Sequence, residues 1–290
     1  MNKTRIEWAK NPDGTPGYTW NPITGCLNGC PYCYARKLAH GRLKPLYLGH
    51  PHVANESDQA DKKVDQLFDP FYPRFWEERL DEIWDLARGK HLKARGIFVC
   101  DMGDLFGIGI PEKWTRDILK AIEHAKPHRF YLLTKQPQNL PREFPENCWV
   151  GLTLTDFNGA THKLADFLLV KATLKFLSLE PLLGRFPAMA VNRDWFQWLI
   201  IGQQTPVSAR TEPKIEDLRE IVEAADKAGI PVFLKDNLKP LLCSNVNGQD
   251  VIEAHNLWAF KEFKLRQEMP KTIDIPERMS EVKYDTGRIN

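Results

Sequence analysis

Six short runs of the chain are apolar almost without a break: Ile97 to Cys100, Phe130 to Leu133, Trp149 to Leu154, Phe176 to Leu179, Trp198 to Ile201 and Pro231 to Leu234. A strand with one wet face alternates polar and apolar residues, so continuous runs point to strands covered on both sides. Helical periodicity fills the intervals. Residues 74–88 place Leu80, Ile83, Trp84 and Ala87 on one face and end at Gly89. Residues 111–125 open at Pro111 and repeat Trp114, Ile118, Ile122 and Ala125, and residues 214–228 carry Ile215, Leu218, Val222 and Ala225 before Gly229. With a further strand at Tyr18 to Asn21, the pattern predicts an α/β fold with six or seven parallel strands. That number suffices for an incomplete parallel (β/α)6-7 barrel, and a doubly wound open sheet is the competing architecture.

Residues 1–268 are expected to form this one domain, followed by a polar C-terminal tail over 269–290. Residues 41–73 hold Gly49, Pro51, Asn55 and Pro70 without a period and read as a long connection. Of the 290 residues, 42% are hydrophobic and 27% charged, which excludes disorder, collagen-like repeats and a disulfide scaffold. Forty Lys and Arg against 38 Asp and Glu leave a net charge of +2, so any nucleic-acid contact must come from a local patch. The first ten residues carry Lys3, Arg5, Glu7 and Lys10 with no apolar core of a signal peptide, and no run approaches a membrane span. These features predict a soluble, cytoplasmic protein without a membrane partner.

Polar residues collect where the predicted strands end: Asp101 and Asp104, Thr134 and Lys135, Thr153 and Thr155, Glu180, Gln203 and Gln204, Lys235 and Asp236. In parallel α/β folds the active site lies at that edge.

Three of the six cysteines fall within eight residues, Cys26, Cys30 and Cys33, with the spacing C-x3-C-x2-C. Three soft thiolates from one tight loop can hold three irons of a cubane cluster and leave the fourth iron open. Gly25 and Gly29 would let the backbone wrap closely around it. The alternative is a non-catalytic metal-binding module, holding zinc or an iron–sulfur centre and contacting nucleic acid; for zinc, His40, His50 or His52 would be the fourth ligand, although no second knuckle is evident.

This spacing, with aromatic Tyr32 just before the last cysteine, resembles the radical S-adenosylmethionine (SAM) superfamily. The resemblance implies a [4Fe-4S] cluster on Cys26, Cys30 and Cys33, SAM chelated to the open iron, and an external one-electron reductant. Reductive cleavage of SAM would give a 5'-deoxyadenosyl radical that abstracts hydrogen from a substrate. Thr4-Arg5-Ile6-Glu7-Trp8, Thr19-Trp20-Asn21-Pro22, Asp101 to Phe106, Leu132-Leu133-Thr134-Lys135, Leu177 to Leu183 and Ile200-Ile201-Gly202 are similar, in order, to an uncharacterised phage-associated radical SAM family. Ser commonly stands there at the position of Cys100, and a Gly-Gly-Glu run at Gly202-Gln203-Gln204. Asn21-Pro22, the cysteines and Tyr34-Ala35-Arg36 are also similar to the loop of spore photoproduct lyase, a radical SAM DNA-repair enzyme.

The resemblance also suggests roles, each set against a plainer one. Asp101, Met102, Gly103 and Asp104 would hold the SAM ammonium, or merely turn the chain before a helix. Thr153 and Thr155 would meet the ribose, and Ile200 and Gly202 the adenine, or they are ordinary strand residues. Lys135, Glu180 and Lys235 would bind the SAM carboxylate and the substrate, or form a salt-bridge network. Cys100 would donate a hydrogen atom to a substrate radical, or pack as a small hydrophobe. Cys148 and Cys243 lie too far apart for a second cluster. The basic run Arg36, Lys37, His40, Arg42 and Lys44 would contact phosphates, or is a solvated helix face. The substrate expected on these grounds is a nucleotide or nucleic-acid base.

Overall fold

The computed structural model describes residues 1–54, 68–89, 93–246, 249–252, 259–260 and 264–271. Its strands as far as Leu234, in chain order, are β1 (Asn2–Lys3), β2 (Tyr18–Trp20), β3 (Ile23–Thr24), β4 (Arg74–Phe75), β5 (Gly96–Val99), β6 (Arg129–Thr134), β7 (Cys148–Thr153), β8 (Leu174–Leu179), β9 (Trp198–Ile201) and β10 (Val232–Leu234). Eight of them form one sheet in the order β1-β2-β5-β6-β7-β8-β9-β10, and β3 pairs with β4 beside it. Within the eight-stranded sheet β1 runs antiparallel to β2 and every later pair is parallel, whereas β3 and β4 are antiparallel. The strands add in one direction without a reversal, so the switch point of a doubly wound sheet is absent among the described residues.

The continuous apolar runs resolve into two faces. Ile97, Val99, Phe130, Leu132, Val150, Leu152, Leu177, Leu199 and Val232 point to one core, shared with the helices. Those helices are α3 (Leu80–Ala87), α4 (Glu112–His124), α5 (Thr161–Leu168) and α6 (Ile215–Ala228), preceded in the chain by α1 (Tyr34–His40) and α2 (Lys44–Leu48). The alternate residues Phe98, Tyr131, Trp149, Phe176, Trp198 and Phe233 point the other way and gather around Trp8. The ring of Trp8 lies 4.8 Å from Phe98 on β5 and 6.2 Å from Trp198 on β9. A flat sheet would separate those two strands by about 19 Å. The sheet is therefore curved around Trp8, and Gly151 on β7 makes room for the inner packing, since a Cβ there would lie 2.4 Å from the Phe176 ring.

The N-terminal segment threads this concave face. It passes so close to β5 that a Cβ on Gly96 would lie 1.8 Å from the Lys10 carbonyl oxygen. At the other edge, residues 266–268 run beside β10, with Leu234 N–H donating to the Arg266 carbonyl at 2.7 Å. The two chain segments meet where the Gln267 amide donates to Glu7 at 3.3 Å.

The predicted helices at 111–125 and 214–228 are present within a residue at each end. Of the predicted helix at 74–88, residues 74–75 are held extended by pairing with β3, Glu77–Arg79 form a 3-10 turn, and the α-helix begins at Leu80. α5 carries no expectation from the sequence; it buries only Leu164 and Phe167. Of the expected connection at 41–73, residues 55–67 lie outside the described residues, and so does most of the expected tail. Met269 of that tail packs against the aromatic cluster instead. The Cys243 side chain also lies outside. No helix among the described residues is long and apolar enough to cross a membrane.

Candidate active site

The cysteine loop leaves β3 through Gly25, whose φ of +88° and a Cβ position 2.4 Å from the Tyr72 carbonyl oxygen leave no space for a side chain. Gly25 N–H donates to the Met102 carbonyl at 2.9 Å, and Cys26 N–H to the Phe71 carbonyl at 3.0 Å. Gly29 is also left-handed, at φ +68°, but faces open space. Cys33 caps α1, its Sγ accepting the Arg36 N–H at 3.3 Å, and Cys26 Sγ accepts the Asn28 N–H at 3.4 Å. The guanidinium of Arg36 folds back onto the Cys26 carbonyl at 3.2 Å and over the Phe71 ring. Arg36 therefore braces the loop and is withdrawn from the basic run expected at phosphates.

All three thiols open on a cleft of about 390 Å³ at the carboxyl ends of the strands. Tyr32, Cys100, Asp101, Gly103, Asp104, Lys135, Thr153 and Glu180 line it as well. Four expected residues stand apart from the lining. The Met102 side chain turns into an apolar cluster with Tyr47 and Trp76 beneath the loop. Thr155 lies beyond β7, its hydroxyl on Asp156 and its carbonyl taken by Leu183 N–H at 2.7 Å. Ile200 is locked among the rings around Trp8. Gly202 accepts the Leu182 N–H, and Lys235 fills the space beside its Cα.

The two aspartates are already engaged. Asp104 accepts from Asn28 Nδ2 at 3.1 Å, Lys135 N–H at 3.2 Å and Phe106 N–H at 3.1 Å, tying the cysteine loop to the end of β6. Asp101 Oδ1 accepts from Asn21 at 2.6 Å, and its carbonyl accepts the Tyr34 hydroxyl at 2.6 Å. Burial holds both carboxyls above their ordinary value against these donors. Burial, followed by the charge of Asp104, pushes the Cys26 thiol up to about 12. Burial also raises the Cys100 thiol; its backbone stands at φ +61°, the one left-handed non-glycine among the described residues.

Lys135 has its ammonium 5.8 Å from the Tyr32 ring centre, and burial lowers its pKa against the charges of Cys30, Asp104 and Glu180. Glu180 forms an ion pair with Lys235 across the cleft floor and accepts the Trp8 indole N–H. Among the lining groups without a role expected from the sequence are Ser178, next to last in β8, and Asn237 beyond β10. Ser178 Oγ and Gln203 Oε1, both on the cleft, are buried with no hydrogen-bond partner among the described residues. Ser178 stands opposite Thr153 in the sheet register.

His40, His50 and His52, the candidate fourth ligands of a zinc site, do not line the cleft on which the cysteines open. His50 stacks on Trp76 at 3.9 Å, His52 packs against Phe75 and Trp114, and His40 lies 3.5 Å from Asp69. Among the described residues no three His, Cys, Asp or Glu side chains converge on the position of one ion. A polynuclear cluster takes one thiolate per iron and has no such requirement. Three soft donors on one cleft, two of them accepting backbone N–H groups, fit an iron–sulfur cluster.

The family model described as "Protein of unknown function (DUF5131)" matches residues 3–240. No curated protein matches the chain. Among solved structures, a spore photoproduct lyase double mutant with bound AdoMet and dinucleoside spore photoproduct is similar over 86% of this chain and 71% of that chain, at 13% identity and a TM-score of 0.41.

Proposed function

We infer that this chain, which belongs to the DUF5131 family of proteins of unknown function, is an enzyme of the radical SAM class. The observation that carries the reading is the opening of Cys26, Cys30 and Cys33 on the same cleft as the ends of the parallel strands. Seven parallel strands in chain order, curved around Trp8, are read as an incomplete barrel with that cleft at its mouth.

The three cysteines would hold the cluster, which when bound with SAM supplies the electron for its reductive cleavage and so a carbon radical for hydrogen abstraction. The residues around it bind and orient. Lys135, a half-buried cation beside Tyr32, suits the SAM carboxylate. Thr153 and Ser178, opposite each other in register, present two hydroxyls that suit a ribose. Asp104 fixes the loop to β6 rather than reaching for the ammonium, which leaves that task to the Asp101–Gly103 turn. Glu180 and Lys235, neutralising each other on the floor, suit a polar substrate that exchanges for one of them. The cleft confines the reaction to one compact substrate or to a group such as a nucleotide base inserted into it.

Anaerobic reconstitution, iron and sulfide analysis and paramagnetic resonance of the reduced protein test the reading. Four irons per chain in the parent protein, lost in Cys30→Ala, together with SAM cleavage under reduction, are the expected result. Stoichiometric zinc with no reconstitutable cluster would overturn it.

A further inference from the structure

The chemistry inferred above consumes electrons that the chain itself does not generate, so a donor must reach the cysteine loop from outside. We propose that the exposed face of α1 and α2 is the docking site for an acidic one-electron carrier protein of the flavodoxin kind. The proposal rests on the radical SAM reading for its purpose and on the surface for its partner.

Charge is the first argument. Between Asp13 and Glu56 the chain has no acidic residue, although 38 in 290 would place about five there. Arg36 is used internally and His40 faces Asp69, which leaves Lys37, Arg42 and Lys44. All three are exposed, and their side chains make no hydrogen bond or ion pair among the described residues. They sit on one tight helix–turn–helix, in which Gly41 N–H donates to the Lys37 carbonyl and Lys44 N–H to the Gly41 carbonyl. Three cations that have no acidic partner among the described residues steer an acidic protein, and Leu46, 52% exposed on α2, offers an apolar contact among them.

Position is the second. Cys33 is the cap of α1, so Lys37 lies one helical turn, about 6 Å, further along the axis. Beneath the face, Ala35, Ala39 and Tyr47 pack on Phe71, Trp76 and Met102 in one cluster with Cys26 and Cys33. A carrier seated there is separated from the cysteines by packed side chains rather than by water. The carrier would lose one electron and a cluster held by Cys26, Cys30 and Cys33 would gain it, with no bond formed or broken. Nucleic acid fits less well, because with Arg36 withdrawn three phosphate contacts give only weak, salt-sensitive binding.

The test uses the full chain and the triple variant Lys37→Glu, Arg42→Glu, Lys44→Glu, with an acidic bacterial flavodoxin as probe. Calorimetry with oxidised flavodoxin at low salt should show binding that weakens about tenfold or more in the variant and with added salt. Anaerobic stopped-flow mixing should show slower reduction by reduced flavodoxin, with reduction by dithionite and iron content unchanged. Equal flavodoxin binding and equal reduction rates in parent and variant would overturn the proposal. So would binding of a single-stranded oligonucleotide that the variant loses while flavodoxin is unaffected. Absence of iron from the parent protein would count against the radical SAM reading alone, since the calorimetry still decides the surface.

Discussion

The indole nitrogen of Trp8 donates to Oε2 of Glu180 at 3.3 Å, so the residue around which the sheet curves also holds a charge at the cleft floor. Glu180 keeps its other oxygen on Lys235. Packing of the concave face and the polar arrangement of the site are thus joined through one side chain.

Replacing Trp8 separates the two roles. Trp8→Ala leaves a cavity among Phe98, Tyr131, Phe176 and Trp198 and should cost about 3–5 kcal/mol in urea unfolding. Trp8→Phe keeps most of the ring contacts, loses the hydrogen bond to Glu180 and should cost about half as much. A Trp8→Ala loss under 1 kcal/mol would show that the sheet does not depend on this ring.

The Glu180–Lys235 pair is mostly buried, at 26% and 17% side-chain exposure, so removing one partner leaves a poorly solvated charge. Lys235→Met should destabilise by about 1–2 kcal/mol, less than a fully buried pair would. Adding Glu180→Gln should recover part of that loss. A double-mutant cycle reads the coupling, and additive single changes would mean that the pair contributes nothing.

How much of this was legible in advance depended on how local each feature is. The six strands are readable because burial on both faces leaves an unbroken apolar signature, and α4 and α6 because three or four turns repeat it. α5 has only two turns and two buried side chains, too little to stand out. The start of α3 is set by the distant pairing of Phe75 with Ile23, which no local pattern contains. The cysteine triad is readable because eight residues hold it. Ser178, a small polar residue inside an apolar strand, acquires meaning only once the fold shows which face it occupies. Asp104 and Arg36 have the right chemistry for ligands, yet the structure engages both in bracing the loop.

Glu7 carries a pH prediction. Burial raises its carboxyl above the ordinary 4.5, opposed by the Asp236 N–H at 2.7 Å and by Lys235, and reinforced by the charges of Asp236 and Glu180. A raised carboxyl binds its proton more tightly in the folded state, so its contribution is present below pH 4.5 and is lost as pH rises through the folded value. Glu7→Gln retains an acceptor for the Asp236 N–H and does not ionise. The melting temperature of the parent should therefore fall relative to Glu7→Gln as pH rises from 4.5 toward 7. A constant difference across that range would show that Glu7 does not titrate differently on folding.

Gly25 and Gly29 both have positive φ in the cysteine loop, yet their substitution should differ. At Gly29 nothing lies within 4 Å of an added Cβ, so Gly29→Ala pays only the left-handed conformation, about 1–2 kcal/mol. At Gly25 the same conformational cost is joined by a Cβ 2.4 Å from the Tyr72 carbonyl oxygen and 2.6 Å from that of Phe71, neither of which can swing aside as a side chain would. The Phe71 carbonyl accepts the Cys26 N–H, so relief of the clash must displace Cys26 itself. Gly25→Ala should therefore unfold at clearly lower urea than Gly29→Ala, and after anaerobic reconstitution it should retain much less iron, while Gly29→Ala keeps most of it. Equal stability of the two variants would show that the loop moves freely against residues 71–72, and equal iron content would show that the position of Cys26 is not set by that contact.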